Sequence, residues 1–297
     1  MRILVNNKEI RGDLIRFAAI RNDAVPIPVT LEAEIWIDES IENGLSEGKT
    51  IKAGNAEDEF CIIKSIKMTD RNSTGEHVMQ SVKIIALIQS CAKVSFVRQS
   101  SIIKESATFS DIYKASGATI KVENDFKIDR FNCYIGETPS FHIARALQEN
   151  GGIIRYKKGK MTFFRLPDLL NQKPVIALPN NASHDIKSGF SERHEVQFFY
   201  SIDDKGQFIY GNKNKARTAR FMPFMNEQQL KNLTRCLIKR KIARVYYDET
   251  ICAGDLVNVV GSNPLVVVTA AHVAKSGTDG TPAEQYTALW LSSVENG

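Results

Sequence analysis

The chain has 297 residues, of which 43% are apolar and 25% charged, and a formal net charge of +5. Those proportions are ordinary for a globular protein that buries a core, and at about 150 residues per domain they point to roughly two domains. No stretch approaches the roughly 18 uninterrupted apolar residues of a membrane-spanning helix, and Asn6-Asn7-Lys8-Glu9 breaks the apolar block that a secretory signal would need, so we expect synthesis in a cytoplasm and no stable membrane association.

Residues 1–101 read as a first β domain. Arg2–Val5, Asp13–Ile20 and Val29–Ile37 carry Val, Ile, Phe and Trp with partial alternation, and Asn6-Asn7, Asn22-Asp23 and the Pro26/Pro28 pair punctuate them. Lys49–Ala53, Phe60–Met68 and Gln80–Ile88 follow, with a loop by composition over Thr69–Gly75. Residues 102–166 change character and read as an α/β insertion. Thr108 and Asp111 have the spacing of a capping box, and Thr138-Pro139 opens a second helix, since proline at the first helical position loses no needed N–H. That helix ends before Gly151-Gly152, and Ile153–Tyr156 and Met161–Arg165 flank Lys157-Lys158-Gly159-Lys160 as a hairpin. Residues 167–190 are turn-rich and serve as a linker. In 191–297, a second β domain, strands near 195–201 and 206–210 precede a helix capped by Asn226 with Gln229, whose stripe Leu230, Leu233, Leu237, Ile238 and Ile242 faces a core. Leu256–Val260, Leu265–Val273 and Tyr286–Leu291 close the chain as a meander.

Two segments align. Gly48-KTIKA-Gly54, Phe60–Thr69, Gly75, Gln80 and Val82–Ile88 match Gly254-DLVNVV-Gly261, Leu265–Ala274, Gly280, Gln285 and Tyr286–Leu291. The first glycine lies 27 residues before the loop glycine in one copy (75 − 48) and 26 in the other (280 − 254); loop glycine to glutamine is five in both. We read this as an internal duplication of an antiparallel meander. Three chains closing around an axis would then present six similar modules, a device for joining a sixfold tube to a threefold object.

The order β domain, small α/β insertion, second β domain with a terminal hairpin resembles the central hub of phage baseplates, including Mu-like tail hubs, late control protein D and the N-terminal part of VgrG spike proteins. Thr138-PSFHIARALQENGGIIRYKKGKMTFFR-Leu166 is similar to that family's helix-then-hairpin element, and Ala253-GDLVNVVGSNPLVVVTAAHVAKS-Gly277 to its closing hairpin. The resemblance implies an α+β, mainly β fold with two similar antiparallel barrel-like tube domains. It also implies a homotrimer forming a pseudo-sixfold ring that continues the tail-tube channel, located in the virion tail baseplate after assembly in the host cytoplasm. Tail tube or distal tube protein would sit above, a separate spike protein below and wedge or other baseplate proteins around, with DNA present only in transit.

Catalytic templates fail. Val268-Thr-Ala-Ala-His272 looks like the histidine segment of trypsin-like proteases, but 25 residues remain after His272 (297 − 272) and no serine motif follows, so a structural or interface role is expected. Asp203-Asp204 and Glu57-Asp58-Glu59 sit in polar turn contexts and read as solvated turns. Cys61, Cys91, Cys133, Cys236 and Cys252 include no C-x-x-C pair, and the five His residues are dispersed. Zinc sites draw on close ligand pairs; we therefore expect free thiols, no metal and no cofactor. Basic clusters stand at Arg155–Lys160, at Lys213, Lys215, Arg217 and Arg220, and at Lys239, Arg240, Lys241 and Arg244. Of these, Lys213, Lys215, Arg217, Arg220, Lys239, Arg240 and Lys241 would form the phosphate track of the alternative, a nucleic-acid binder with OB-like barrels, stacking bases on Phe198, Phe199, Tyr200, Phe208 and Tyr210. Those aromatics are more simply read as core, and the basic residues as solvated. A cell-wall hydrolase has no residues behind it.

Overall fold

Alternation decides the first strands. Val29, Leu31, Ala33 and Ile35 are buried and the residues between them half-exposed, the period of two that sets one face of a pleated strand against a core. In the computed structural model, which describes every residue except 38, 72–77, 187–196, 213–217, 278–281 and 297, the chain is mainly β. Its first part contains β1 (Ile3–Val5), β2 (Lys8–Glu9), β3 (Ile15–Asp23), β4 (Val29–Trp36), the single turn α1 (Glu39–Glu42), β5 (Thr50–Ala53), β6 (Asp58–Arg71) and β7 (Val78–Ile88). The middle supplies β8 (Ile102–Thr108), α2 (Phe109–Ala115), β9 (Lys121–Asn124), β10 (Lys127–Cys133), α3 (Pro139–Glu149), β11 (Gly152–Lys157), β12 (Lys160–Arg165) and α4 (Leu166–Leu169). The rest holds β13 (Ile176–Leu178), β14 (Ser183–Asp185), β15 (Phe198–Ile202), β16 (Phe208–Tyr210), β17 (Ala219–Phe221), α5 (Glu227–Leu233), β18 (Arg235–Tyr246), β19 (Leu256–Val259), β20 (Leu265–Lys275) and β21 (Glu284–Asn296).

The caps form as their spacing requires. Thr108 accepts from the backbone of Asp111, whose carboxylate returns the bond, and Asn226 and Gln229 do the same. The second helix of the pair is shorter than its stripe suggested. α5 stops at Leu233, and Leu237, Ile238 and Ile242 belong to β18, which pairs with β21 from Arg235 to Tyr246. The apolar residues on each side of 234 serve different partners, and a ladder of that length overrides a local spacing of three to four. β8, β9 and β10 escaped the sequence reading because few of their residues are buried.

One curled antiparallel sheet runs β14-β18-β21-β20-β3-β4-β7-β6-β5-β1-β2, with β19 and β13 branching from β20. Strands from opposite ends of the chain are therefore neighbours: β20 pairs with β3, Thr269 opposite Asp23 through Lys275 opposite Phe17. The insertion covers one face of the first half. Its pairs β8–β10 and β11–β12–β9 share a core with β1–β7, in which Phe109 stacks on Phe163 at 4.9 Å. The Tyr113 hydroxyl donates to the Pro26 carbonyl at 2.7 Å, fixing the insertion to the β3–β4 turn.

The duplication extends to single hydrogen bonds. Gly48 donates to Ile62 and Gly254 to Val267, both at 2.8 Å; the Ile62 amide returns to Lys49 and the Val267 amide to Asp255, both at 2.9 Å. Both glycines have positive φ, 80° and 86°, where a β-carbon would be strained. Thr50 pairs with Cys61 as Leu256 pairs with Val266. A bulge interrupts β6–β7 at residue 63 and β20–β21 at residue 268, each three past the aligned Phe60 and Leu265. The correspondence also reaches a pair of strands the sequence did not connect. Ala33 opposes Ile84, and Ala243 opposes the equivalent Leu289; both alanines are buried, in Ala-Glu-Ile-Trp and Ala-Arg-Val-Tyr respectively. On the sheet, β14, β18, β21 and β20 thus correspond in the same order to β3, β4, β7 and β6. The two modules stand head to tail. Their periphery differs: β1 joins β5 antiparallel, whereas β13 joins β19 parallel. The loop residues Gly75 and Gly280 lie outside the described residues.

Candidate functional site

The head-to-tail order leaves two unlike ends, and equivalent strands there have unlike surroundings. On β20, the N-terminal half pairs with β19 and the C-terminal half with β3. On β6, the N-terminal half pairs with β5, and beyond Ile62, which exchanges hydrogen bonds with Gly48 and Lys49, no strand pairs on that side among the described residues. Ala271 and Val273 of β20 are 5% and 7% exposed, while the equivalent Ile66 and Met68 of β6 are 43% and 39% exposed. One copy of the strand is covered and the other bare. At the opposite end, the equivalent of β3 is the three-residue β14, with Ser183 opposite Ala243 and Asp185 opposite Lys241. Native sheets usually guard such edges. Here an apolar one is open, next to Lys64 and Lys67, the latter bonded to Glu42.

Between the modules lies a cleft of about 290 Å³ shared by Asn55 and Asp58 of the first, Tyr156 of the insertion, and Tyr247, Glu249, Cys252 and His272 of the second. Polar contacts tie the three parts together. Tyr156 donates to Asp58 at 2.9 Å, Asn55 N–H to Glu249 at 2.6 Å, and Asn22 bridges the Tyr156 carbonyl and the Ala253 amide at 3.2 and 2.9 Å. Asp58 is therefore not the solvated turn residue its neighbours suggested: burial, aided by the charge of Glu249, raises its carboxyl pKa. Asp203, by contrast, is a turn residue, its carboxylate accepting from the amides of Lys205 and Gln207 at 2.9 and 2.8 Å. His272, 3% exposed within β20, shares a 3.0 Å hydrogen bond with Thr287, and burial lowers its pKa. Burial pushes the Cys252 thiol up to about 12, the opposite of an activated nucleophile. The arrangement suits a joint rather than a reaction.

A second polar joint is buried outright. The Asp255 carboxylate, fully enclosed, meets Arg155 at 2.8 Å and Lys157 at 2.9 Å and accepts the Cys252 amide at 3.0 Å. Arg155 and Lys157 of the cluster Arg155–Lys160 are thus spent on structure, Lys160 pairs with Glu123 at 2.5 Å at the surface, and Lys158 is exposed. Among the other basic residues, Lys241 meets Asp185 at 2.8 Å, Arg240 donates to Ser293 at 2.9 Å, and Arg244 meets Glu284 at 3.1 Å while lying over Tyr286. Arg220 is exposed on β17; Lys213, Lys215 and Arg217 lie outside the described residues. Of the aromatics expected in a core, Phe199 packs on α5, but Phe198, Tyr200, Phe208 and Tyr210 form a half-exposed ring cluster on the small sheet β16-β15-β17, with Phe208 58% exposed. That sheet stands apart from the large one, so these rings do not enter the core expected for them.

The chain folds as a large curled antiparallel sheet with two repeated modules and an α/β insertion, a fold shared with solved phage tail proteins. The solved structures it resembles carry the same fold. A tail protein from Neisseria meningitidis MC58 superposes with a TM-score of 0.67 at 12% identity, over 98% of this chain and 95% of that one. The 43 kDa tail protein of prophage MuSo2 from Shewanella oneidensis gives 0.68 at 12%, over 98% and 97%. An E. coli component of the type VI secretion system, described as structurally similar to T4 bacteriophage tail proteins gp27 and gp5, gives 0.57 at 9%, over 98% and 76%. No protein-family model and no curated protein matches the sequence.

Proposed function

We propose that the protein is a structural, non-enzymatic component of a phage tail, a baseplate hub in which three copies close the curled sheet into a pseudo-sixfold ring. One observation carries the reading. The junction inside the chain, β20 against β3, is a template for a junction between chains. Applying its register to the equivalent strands sets β6 of one copy against β14 of the next. Asp185 then faces Lys67, Ser183 faces Thr69, His184 faces Met68, and Ile186 faces Ile66. Opposite charges, paired hydroxyls and paired apolar groups on directly opposed residues favour the match, and main-chain hydrogen bonds would satisfy both edges. Repeating a head-to-tail contact yields a closed ring when the rotation allows, or a filament otherwise; curvature already built into the sheet favours closure.

In this reading residues 1–101 and 191–297, the latter joined by β13 and β14, supply the two tube modules, 102–166 the outer α/β block and the rest of 167–190 the crossing between them. The sheet face turned away from the insertion lines the channel. It carries Arg16 paired with Glu34 at 2.5 Å and Arg244 paired with Glu284, pairs whose opposite charges offset each other along the path of the DNA. A sixfold tail tube or distal tube protein would stack above the ring, a threefold spike below, with wedge or other baseplate proteins around it. The protein would reside in the virion tail after assembly in host cytoplasm. Light scattering of purified protein at high concentration tests this: three chains of 33.2 kDa give 99.6 kDa (3 × 33.2), whereas a monomer at every concentration contradicts it. A salt-sensitive gel shift with short DNA would favour the OB-like alternative instead.

A further inference from the structure

The connection from β10 to α3 gathers three different metal-ligand side chains from one short segment. Cys133 ends β10 and is fully buried. The chain then turns through Tyr134–Glu137, with Gly136 at φ 85° and the Glu137 amide donating to the Tyr134 carbonyl at 3.1 Å, the geometry that wants glycine at the third turn position. This turn folds the Glu137 carboxylate back onto the Tyr134 amide at 2.6 Å. Pro139 starts α3 immediately, so His142 comes round on its first turn with Nε2 3.0 Å from Glu137 Oε2. Edge contacts with Phe131 and Phe141 orient the ring. One donor atom each from Cys133, Glu137 and His142 all lie within 4.8 Å of one another. Around a tetrahedral zinc ion, bonds of about 2.0–2.3 Å place donors roughly 3.2–3.7 Å apart, so small side-chain rotations bring the three into range.

We propose that Cys133, Glu137 and His142 bind one zinc-class divalent cation, with solvent from the adjoining groove as a fourth ligand. That groove, about 650 Å³, runs from β10 and α3 to Pro223–Gln229 ahead of and within α5, which gives the ion access to water. Thiolate, imidazole and carboxylate are the donor types zinc accepts, and a three-ligand open set is the form that keeps a water. Binding releases the Cys133 thiol proton to solvent as the sulfur–metal bond forms. The ion would stiffen the β10–α3 corner of the outer block. This proposal is independent of the ring, since every ligand comes from one short segment.

The test uses the full chain, reduced, stripped with chelator and titrated with Co²⁺. The expected result is one ion per chain with a thiolate-to-cobalt charge-transfer band, displaced by Zn²⁺. Cys133→Ser should abolish the band. His142→Gln and Glu137→Gln should each weaken binding by at least about tenfold, since even outer-shell partners are worth roughly 10–100-fold. Far-UV circular dichroism of each variant establishes folding, and serine for cysteine barely changes volume. No band in the folded wild type overturns the proposal, leaving a Glu137–His142 hydrogen bond. A band that survives Cys133→Ser also overturns it, placing the metal on another thiol.

Discussion

Asp255→Asn isolates the cost of breaking the joint between the second module and the insertion. The wild-type carboxylate is fully enclosed, while its partners Arg155 and Lys157 are 21% and 26% exposed at their side chains. Asparagine keeps an acceptor for the Cys252 amide but leaves two largely desolvated cations facing each other. Breaking a buried ion pair by removing one partner costs about 3–5 kcal/mol. With an unfolding entropy of about 2.1 cal/mol/K per residue, 297 residues give about 0.6 kcal/mol/K, so melting should fall by about 5–8 °C. Thermal melts followed by circular dichroism at pH 7 read this directly. Raising the salt should leave the drop in place, because the pair is shielded from counterions. Among the described residues Arg155 Nε has no hydrogen-bond partner, so these side chains satisfy the network only in part. Replacing all three residues with apolar ones of similar volume should therefore recover most of the loss. A drop below about 1 °C in Asp255→Asn would refute the reasoning, since it would mean that water reaches the carboxylate.

Asp58→Asn should raise the melting temperature at neutral pH. Burial raises the folded-state pKa of Asp58 above its unfolded value, so ionisation opposes folding, and the gain should fade as pH falls through that raised pKa; a variant less stable than wild type at pH 7 contradicts this. Ala33→Leu and Ala243→Leu occupy equivalent, closed positions and should each cost about 1–3 kcal/mol in denaturant unfolding by overpacking, whereas a neutral result at either site would break the equivalence. Lys67→Glu should weaken self-association by setting it against Asp185 of the next copy, and adding Asp185→Lys should restore it. Sedimentation velocity reads the pair, and an unaltered trimer in the single variant argues against the proposed register.

Much of this fold was legible because its signals are local. The strict alternation of β4, the two capping boxes and Pro139 at a helix start each report on their own neighbourhood. The duplication was visible as glycine spacing, but its reach to β4 and β18 was hidden. Only Ala33 and Ala243 match closely there, and Leu237, Ile238 and Ile242 mimic a helix stripe. The contact of β20 with β3 spans the chain and leaves no periodic trace. Asp58 looked solvated because its enclosing groups, Tyr156 and Glu249, are distant in sequence. The Cys133, Glu137 and His142 cluster was missed for a different reason. Ligand spacing of Cys-x3-Glu-x4-His resembles no paired motif, and only the turn at Gly136 followed by Pro139 folds it together.

Crosslinking across the proposed edge bears most directly on the whole account. With Met68→Cys and His184→Cys in one chain, a short bismaleimide should convert purified protein into a covalent trimer on a denaturing gel, while either single change leaves monomer. Monomer from the double variant, in a sample that light scattering shows to be trimeric, would mean that the ring closes through other surfaces and that β20–β3 is not its template.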